Sequence, residues 1–427
     1  MNGRFLVVGL RRSGLAACEA IARMWPEADV IAADPAEDVD RGRLSAAGAE
    51  YVGGGEELSM SGVRALIKSP GVAGEATLVE AARAAGVPVW SEVELASRML
   101  PNPIVGVTGT NGKTTTTELV GRMLDAAGMP VEVAGNVGRA LSELPGRVDP
   151  DAWIACELSS FQLEDIDTLR CHIGVLLNVT PDHLDRHRSM EEYVRCKLRI
   201  LENQTASDTA VVNADDPRLA RARLPGAGRR FWFAKDDRSN LPWPVPGLRG
   251  DHNLENALGA AAAARAAGAS PDAIASALDG YRPPAHRMQP VAEARGIRFV
   301  DDSKATNPDA TVKALTAYET GVRLILGGSL KGGSFVDLAR AVARGPVARS
   351  YLIGQAAPTI AAQLQREGAD HRRCGTLEVA VRQAAADAVF GDVVLLSPAC
   401  ASFDQFRDYA HRGEEFTRIA EELTDGR

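Results

Sequence analysis

The sequence predicts an α/β protein of three domains, each built on a mainly parallel sheet. Three observations predict it. Short apolar runs alternate with helical patterns from end to end. Most runs finish in turns rich in Gly, Ser, Asp or Asn. Two proline-bearing stretches, Pro101-Asn102-Pro103 and Tyr281-Arg282-Pro283-Pro284, interrupt the alternation. They set expected domains at 1–100, 101–284 and 285–427. A length of 427 residues fits this division at about 150 residues per domain.

In the first domain, Arg4 to Leu10 reads as a buried strand, followed by Arg11-Arg12-Ser13-Gly14 and a helix through Met24. A second strand from Asp29 to Ala33 ends at Asp34. Strand, glycine turn, helix and a strand ending in an acid form a Rossmann-like unit. Its dinucleotide fingerprint is incomplete. Gly9 and Gly14 are present, but Arg11 stands at the second glycine. A side chain there hinders close approach of a pyrophosphate to the backbone. The unit reads either as a nucleotide pocket with an altered phosphate contact or as a scaffold without a ligand. Ala65 to Lys68 is a further strand, and Ser69-Pro70-Gly71 a turn.

The second domain opens on Ile104-Val105-Gly106-Val107-Thr108-Gly109-Thr110-Asn111-Gly112-Lys113-Thr114-Thr115. An apolar run ends in a glycine-rich turn. A helical pattern follows through Leu119, Val120, Met123, Leu124 and Ala127, with Gly128 as its stop. This is the context of a phosphate-binding loop, in which backbone N–H groups and the helix N-terminus face phosphate oxygens. Lys113 is placed for the β- and γ-phosphates and the Thr114 hydroxyl for Mg²⁺. The strict pattern asks for Gly at position 107, where Val stands. The local motif is therefore compatible with a phosphate loop or with a ligand-free turn.

Further on, the strand Trp153–Cys156 ends at Glu157, which could hold Mg²⁺ or cap a helix. A strand from Gly174 to Val179 leads into Thr180-Pro181-Asp182-His183. His183 is a loop position open to either a functional or a structural role. From Met190 to Asn203 the pattern is amphipathic. Val194, Leu198 and Leu201 form the expected buried face, Lys197 lies at its edge, and Arg195 and Arg199 point away. Val211 to Asn213 is a strand. Residues 225–250 read as an irregular loop with a short hairpin. Asp251 opens an alanine-rich helix to Ala267, with Asn253 and Asn256 on one face of its first turn, as caps or as ligands of something bound.

In the third domain, strands at 298–300, 324–326, 351–353 and 393–396 alternate with helices. Polar or glycine-rich loops follow them: Asp301-Asp302-Ser303-Lys304-Ala305-Thr306-Asn307, Gly327 to Gly333 with Lys331, and Ser397-Pro398-Ala399-Cys400-Ala401-Ser402-Phe403-Asp404-Gln405-Phe406. Ligands of open α/β sheets sit at the carboxyl ends of strands. Together these loops suggest one anionic ligand.

Composition narrows the class. The chain is 45% hydrophobic and 24% charged with a net charge of −8. That argues against nucleic-acid binding. No apolar run approaches the roughly 18 residues of a membrane span, so no membrane insertion is expected. The chain opens without a charged-then-apolar leader. Its six cysteines are scattered, with no C-x-x-C pair. Reduced thiols and a cytoplasmic location are expected.

Several motifs taken together resemble the Mur ligases of peptidoglycan synthesis. They are Gly109-Thr-Asn-Gly-Lys-Thr-Thr, Glu157-Leu-Ser-Ser-Phe-Gln-Leu-Glu, Asn178-Val-Thr-Pro-Asp-His-Leu-Asp, His252-Asn253 with Asn256, and His286-Arg287. Asp302-Ser-Lys-Ala-Thr-Asn and the Ser397–Phe406 motif resemble the glutamate-adding branch. The resemblance covers nearly the whole chain. It implies an ATP-dependent ligase with UDP-binding, ATP-binding and amino-acid-binding domains. Its partners would be UDP-N-acetylmuramoyl-L-alanine, D-glutamate and ATP, and a monomer is expected.

The same resemblance assigns residues. Gly109, Thr110, Asn111, Gly112, Lys113, Thr114, Thr115, Asn256, Arg287 and Asp302 would contact ATP. Thr114 and Glu157 would hold one Mg²⁺; His183 and Lys197, the latter carbamylated by CO₂, would help hold a second. Ser13, Asp34, Ser69 and Asn136 would line the UDP-sugar site. Lys304, Thr306, Lys331, Ser402 and Phe403 would bind glutamate. Lys113, His183 and Lys197 would be catalytic. A nucleotide-dependent regulator would need the phosphate loop but not Glu157, His183 and Lys197 together. The chain also departs from the family pattern. Pro35-Ala36 follow Asp34 where an arginine is usual, leaving Arg11 or Arg12 to compensate, and Tyr409 stands where Phe is usual.

Overall fold

A computed structural model describes residues 3–54, 58–136, 138–242, 244–245, 248, 250–282, 285–330 and 334–425. It contains three separate sheets. The first has the order β3-β2-β1-β4-β5, with β1 Gly3–Val8, β2 Ala28–Asp34, β3 Glu50–Gly53, β4 Val63–Lys68 and β5 Val89–Ser91. All of its pairings are parallel. Strand alternation explains its layers. Phe5 and Val7 of β1 pack with Ile21 of the helix Arg12–Met24 on one face. Leu6 and Val8 pack with Leu78, Val79 and Ala82 on the other.

The second sheet has the order β11-β10-β9-β6-β8-β7. Its strands are β6 Ile104–Thr108, β7 Val131–Gly135, β8 Trp153–Glu157, β9 Ile173–Leu176, β10 Thr209–Asn213 and β11 Arg229–Phe233. It too is parallel throughout. β6 is central and buried along its whole length, which accounts for its continuous apolar run. In the stretch 225–250, a 3-10 helix spans Lys235–Asn240, Val245 and Leu248 form a single antiparallel bridge, the remnant of the expected hairpin, and β11 pairs in parallel with β10 at the sheet edge. A parallel neighbour needs a crossover, and the helix Pro217–Arg221 lies between the two strands in the chain.

The third sheet is mixed, in the order β12-β13-β17-β14-β15-β16. Its strands are β12 Gln289–Ala294, β13 Ile297–Asp301, β14 Val322–Gly327, β15 Val347–Ile353, β16 His371–Gly375 and β17 Val393–Leu396. Only β12 is antiparallel, turning into β13 at Arg295-Gly296. Both turn residues have positive φ, 54° and 73°, as the tightest hairpin turns require.

By packing, the chain forms two compact units. One comprises Met1–Val179, Glu191–Trp243 and Glu255–Asp279; the other comprises Thr180–Met190, Pro244–Leu254 and Gly280–Arg427. The first unit contains both the first and second sheets, laced together by buried polar groups. Lys68 is fully buried, with Nζ 2.5 Å from Asp165 Oδ2 and 3.1 Å from Glu164 Oε2. The buried Glu94 carboxylate accepts from the main-chain N–H groups of Asp167, Thr168 and Leu169 and from the Thr168 hydroxyl. Arg98 Nε adds a bond of 2.7 Å. Glu92, also buried, accepts from the Ser142 N–H at 2.6 Å.

Candidate active site

The cavity of the first unit is built on the Rossmann-like turn. Gly9 has φ +86°, and a Cβ on Gly14 would lie 1.9 Å from the Gly9 carbonyl oxygen. Both glycines are therefore needed for β1 to meet the helix Arg12–Met24 so closely. The Asp34 carboxylate accepts from the Leu10 N–H at 2.5 Å and the Ala36 N–H at 2.8 Å. Ser69 Oγ donates to the Gly9 carbonyl at 2.6 Å. Around this frame lies a cavity of about 700 Å³, and Ser13, Asp34, Ser69 and Asn136 all line it. Arg11 and Arg12 line it as well. Arg11 is exposed and pairs with Asp38 at 2.8 Å.

Asn136 links this cavity to the phosphate loop. Its Nδ2 donates to Glu157 Oε1 at 3.1 Å, while Thr114 Oγ1 donates to Glu157 Oε2 at 2.7 Å. Glu157 is thus no helix cap; its carboxylate bridges Thr114 and Asn136. The loop itself folds as the motif predicts. Gly112 takes φ +87° immediately before the helix Lys113–Ala126. A Cβ there would lie 2.0 Å from Asn256 Oδ1. Asn256 is buried, lies within the helix Asp251–Ala267 past its capping position, and sets its amide against the loop.

Lys113 curls back, with Nζ donating to the carbonyls of Gly109 at 3.0 Å and Thr110 at 2.8 Å. Lys197 Nζ donates to the same Gly109 carbonyl at 2.8 Å and lies 4.4 Å from the Tyr193 ring centroid. Lys197 is not at the edge of its helix face. It is 1% exposed and belongs to the buried face with Tyr193, Cys196 and Ile200, whereas Val194 and Leu198 are only half-buried. The apolar pattern misled because a lysine occupies a core-facing position. Arg199 also differs from expectation. It donates to the carbonyls of Leu163, Glu164 and Ile166 and pairs with Glu202.

Asn178 shapes the loop without being among the expected site residues. Its Oδ1 accepts from the Asn111 N–H at 2.9 Å and its Nδ2 donates to the Asn111 carbonyl at 3.0 Å. Its own carbonyl accepts from the Thr110 N–H at 2.9 Å. The signal was its place at the end of a buried strand next to the loop strand. Among the described residues, no group of three or more His, Cys, Asp or Glu is placed to hold a metal. A hydroxyl–carboxylate pair suits Mg²⁺ all the same, since Mg²⁺ takes one or two carboxylates and completes its shell with phosphates and water.

In the second unit, His183 takes the left-handed conformation at φ 53°. Its N–H donates to Asp182 Oδ1 at 2.9 Å, and its Nε2 lies 3.6 Å from Asp182 Oδ2. Asp182 Oδ2 also accepts from Asn307 Nδ2 at 3.1 Å. Asp302 is buried at the end of β13. It accepts from Ser397 Oγ at 2.8 Å and from the Met288 N–H at 3.2 Å. Burial pushes its carboxyl up to about 7. Arg287 Nε is a buried donor without a partner among the described residues, the kind of group an anion would satisfy.

Of the expected glutamate residues, Ser402 is buried and Phe403 is 71% exposed. Lys304 Nζ lies 5.5 Å from the Tyr409 ring centroid, so the tyrosine substituted for Phe still offers a ring face to this cation. Thr306 is half-buried. Lys331 lies outside the described residues.

Comparisons with known proteins converge. Residues 107–240 match the Mur ligase middle domain, and residues 286–400 match the Mur ligase, glutamate ligase domain. A protein of Acidobacterium capsulatum named UDP-N-acetylmuramoylalanine–D-glutamate ligase is 40% identical, over 97% of this chain and 95% of its own. A protein of the same name from Anaeromyxobacter dehalogenans is 41% identical, over 98% and 97%. Among solved structures, the MurF ligase of Thermotoga maritima in complex with ADP shares the fold at a TM-score of 0.62. It is 16% identical, with 98% of each chain covered. The UDP-N-acetylmuramate–alanine ligase of the same organism gives 0.61 at 18% identity, with both chains covered fully. With the phosphate loop, the Thr114–Glu157 pair and near full-length identity at this level, the chain belongs to the Mur ligase family and is a ligase.

Proposed function

We propose that the protein joins D-glutamate to UDP-N-acetylmuramoyl-L-alanine at the expense of ATP, in the cytoplasmic synthesis of peptidoglycan precursors. Near full-length likeness to ligases named for these substrates supports the choice. The observation that carries the chemistry is the gathering of Lys113, Lys197 and the Thr114–Glu157 pair around one loop.

In this reading the γ-phosphoryl group passes from ATP to the substrate carboxylate, giving an acyl phosphate and ADP. The glutamate amine then attacks the acyl carbon, and the tetrahedral species expels phosphate as the amide forms. The chain supplies position and cationic stabilisation. Gly109, Thr110, Asn111, Gly112, Lys113, Thr114, Thr115 and Asn256 hold ATP in the first unit; Arg287 and Asp302 are its contacts in the second. Thr114 and Glu157 hold one Mg²⁺ and His183 and Lys197 help hold another, and such ions, when bound, neutralise developing phosphate charge. Ser13, Asp34, Ser69 and Asn136 receive the UDP moiety, a role their shared cavity supports. Lys304, Thr306, Lys331, Ser402 and Phe403 receive glutamate. Residues 1–100, 101–284 and 285–427 are the corresponding domains, acting as a monomer.

A carbamate on Lys197 belongs to the same proposal. The neutral amine adds to CO₂ and loses a proton, leaving an anion that can orient a cation. The nitrogen that would carry the carboxylate is the buried Nζ that donates to the Gly109 carbonyl and lies 4.4 Å from the Tyr193 ring centroid. The test of the function is phosphate release from ATP with UDP-N-acetylmuramoyl-L-alanine, with and without D-glutamate. Release that depends on D-glutamate supports it; release indifferent to D-glutamate refutes it.

A further inference from the structure

Arg412 has no role in the site described so far, yet its side chain is fully buried. It lies in the first turn of the helix Tyr409–Asp425. Nε donates to Ser303 Oγ at 2.9 Å and Nη2 to the Ser303 carbonyl at 2.8 Å. Nη1 donates to the carbonyls of Cys400 at 3.1 Å and Ala401 at 3.3 Å. Ser303 directly precedes Lys304, and Ala401 directly precedes Ser402. A third strand-end loop reaches the same place. The Ser329 N–H donates to the Ala401 carbonyl at 2.8 Å. A Cβ on Gly328 would lie 2.1 Å from that carbonyl and 3.2 Å from Arg412 Nη1. The loops after β13, β14 and β17 therefore meet at one guanidinium.

All four acceptors are neutral oxygens. The carboxylates of Asp301 and Asp404 act on the guanidinium from a distance, but its direct acceptors are neutral; burying a cation on such acceptors is costly, and an apolar side chain of similar volume often serves packing equally well. A planar fork can, however, set the distance between two loops as no apolar group can. Its charge also raises the potential at the carboxyl ends of the strands, where an anionic ligand binds. We propose that Arg412 is a positioning residue for glutamate. It fixes the Lys304–Thr306 loop against the Ser402–Phe403 loop and lends the pocket positive charge for the ligand's carboxylates. This rests on the reading of those loops as the glutamate site.

The test is steady-state phosphate release by the full chain, with D-glutamate, ATP and UDP-N-acetylmuramoyl-L-alanine each varied in turn. Arg412→Met removes the fork at similar volume; Arg412→Lys keeps the charge with a poorer fork; Ser303→Ala removes one acceptor. In Arg412→Met the KM for D-glutamate is expected to rise about tenfold or more, the scale of one lost charge-assisted hydrogen bond. Arg412→Lys should recover part of this, and Ser303→Ala should give a smaller rise. The KM for ATP should stay within about twofold, because Asp302 is held by Ser397 and Met288 rather than by Arg412. Should Arg412→Met fail to fold, the other two variants decide. An unchanged glutamate KM in the folded variants, or equal rises in all three KM values, overturns the proposal. A wild-type enzyme without glutamate-dependent release would instead overturn the proposed function itself.

Discussion

Lys113 and Lys197 share one acceptor: both ammonium groups donate to the main-chain carbonyl of Gly109, at 3.0 and 2.8 Å. They come from elements far apart in sequence and meet where a nucleotide phosphate would lie. Neither is replaceable by a surface cation, because Lys197 is buried and Lys113 is held over the loop. Lys113→Ala is expected to lower kcat by about 10²–10³-fold, the usual cost of losing one preorganised donor, measured as ATP-dependent phosphate release. A kcat near wild type would remove Lys113 from the chemistry.

Lys197→Ala separates a carbamate from a plain ammonium. Truncation leaves a gap beside the Gly109 carbonyl and the Tyr193 ring. If the working group is a carbamate, a short carboxylate such as formate or acetate added to the assay should restore part of the lost rate. If the working group is the ammonium, a short alkylamine should restore it and the carboxylate should not. The two rescues distinguish the forms without detection of a labile adduct.

Gly112→Ala tests the loop geometry itself. An L-residue at φ +87° carries a backbone penalty of about 1–2 kcal/mol. The new methyl would also displace Asn256, whose Oδ1 would lie 2.0 Å from it. Thermal unfolding should shift downward, and binding of a non-hydrolysable ATP analogue should weaken at least as much as stability. Unchanged nucleotide affinity would mean that Asn256 does not help shape the ATP site.

Two buried carboxyls give stability opposite pH dependences. Burial acts to raise the Glu94 carboxyl, but its bonds from Asp167, Thr168 and Leu169 outweigh this and hold it below its ordinary value. Its stabilisation is therefore present above the unfolded carboxyl range and is lost as pH falls through the depressed folded value. Glu94→Gln should cost about 3–5 kcal/mol at pH 7, the scale of breaking a buried charged cluster, and the gap to wild type should narrow in acid. Asp302, raised to about 7 mainly by burial, behaves in reverse. Its contribution is complete below 3.8, its unfolded value, and declines as pH rises to and through about 7. Urea titrations of wild type and Glu94→Gln at pH 7 and pH 3, and of wild type and Asp302→Asn at pH 5 and pH 8, measure the two in turn. A gap for Glu94→Gln that widens in acid, or one for Asp302→Asn that does not move between the two pH values, would contradict these assignments.

Much of the molecule was legible because its signals are local. The β6–loop–helix unit carries its glycines and its Lys-Thr in one stretch, and Gly112 has the φ that motif demands. The third sheet's central strands carry the apolar runs 324–326 and Val393–Leu396, as parallel strands buried on both faces should. What escaped depends on partners distant in sequence. The edge strands β12 and β16 bury little, so their residues carry no strong pattern. Lys197 reads as an edge residue because helical periodicity weighs only apolar side chains, and this lysine buries its stem and head together. Arg412 and Glu94 look like ordinary helix-surface charges until the loops that receive them fold around them.

The lacing of the first two sheets changes what the prolines at 101 and 103 mean. Lys68, Glu92 and Glu94 come from one side of that stretch, and Asp165, Ser142 and Thr168 from the other. Lys68, Glu92, Glu94, Ser142 and Asp165 are all buried, and each finds a partner on the opposite side. Melting either sheet alone would strand charged groups in apolar surroundings, so the two should unfold in a single cooperative step. Cleaving the chain at these prolines would thus split one foldon in half rather than release an independent nucleotide-binding module.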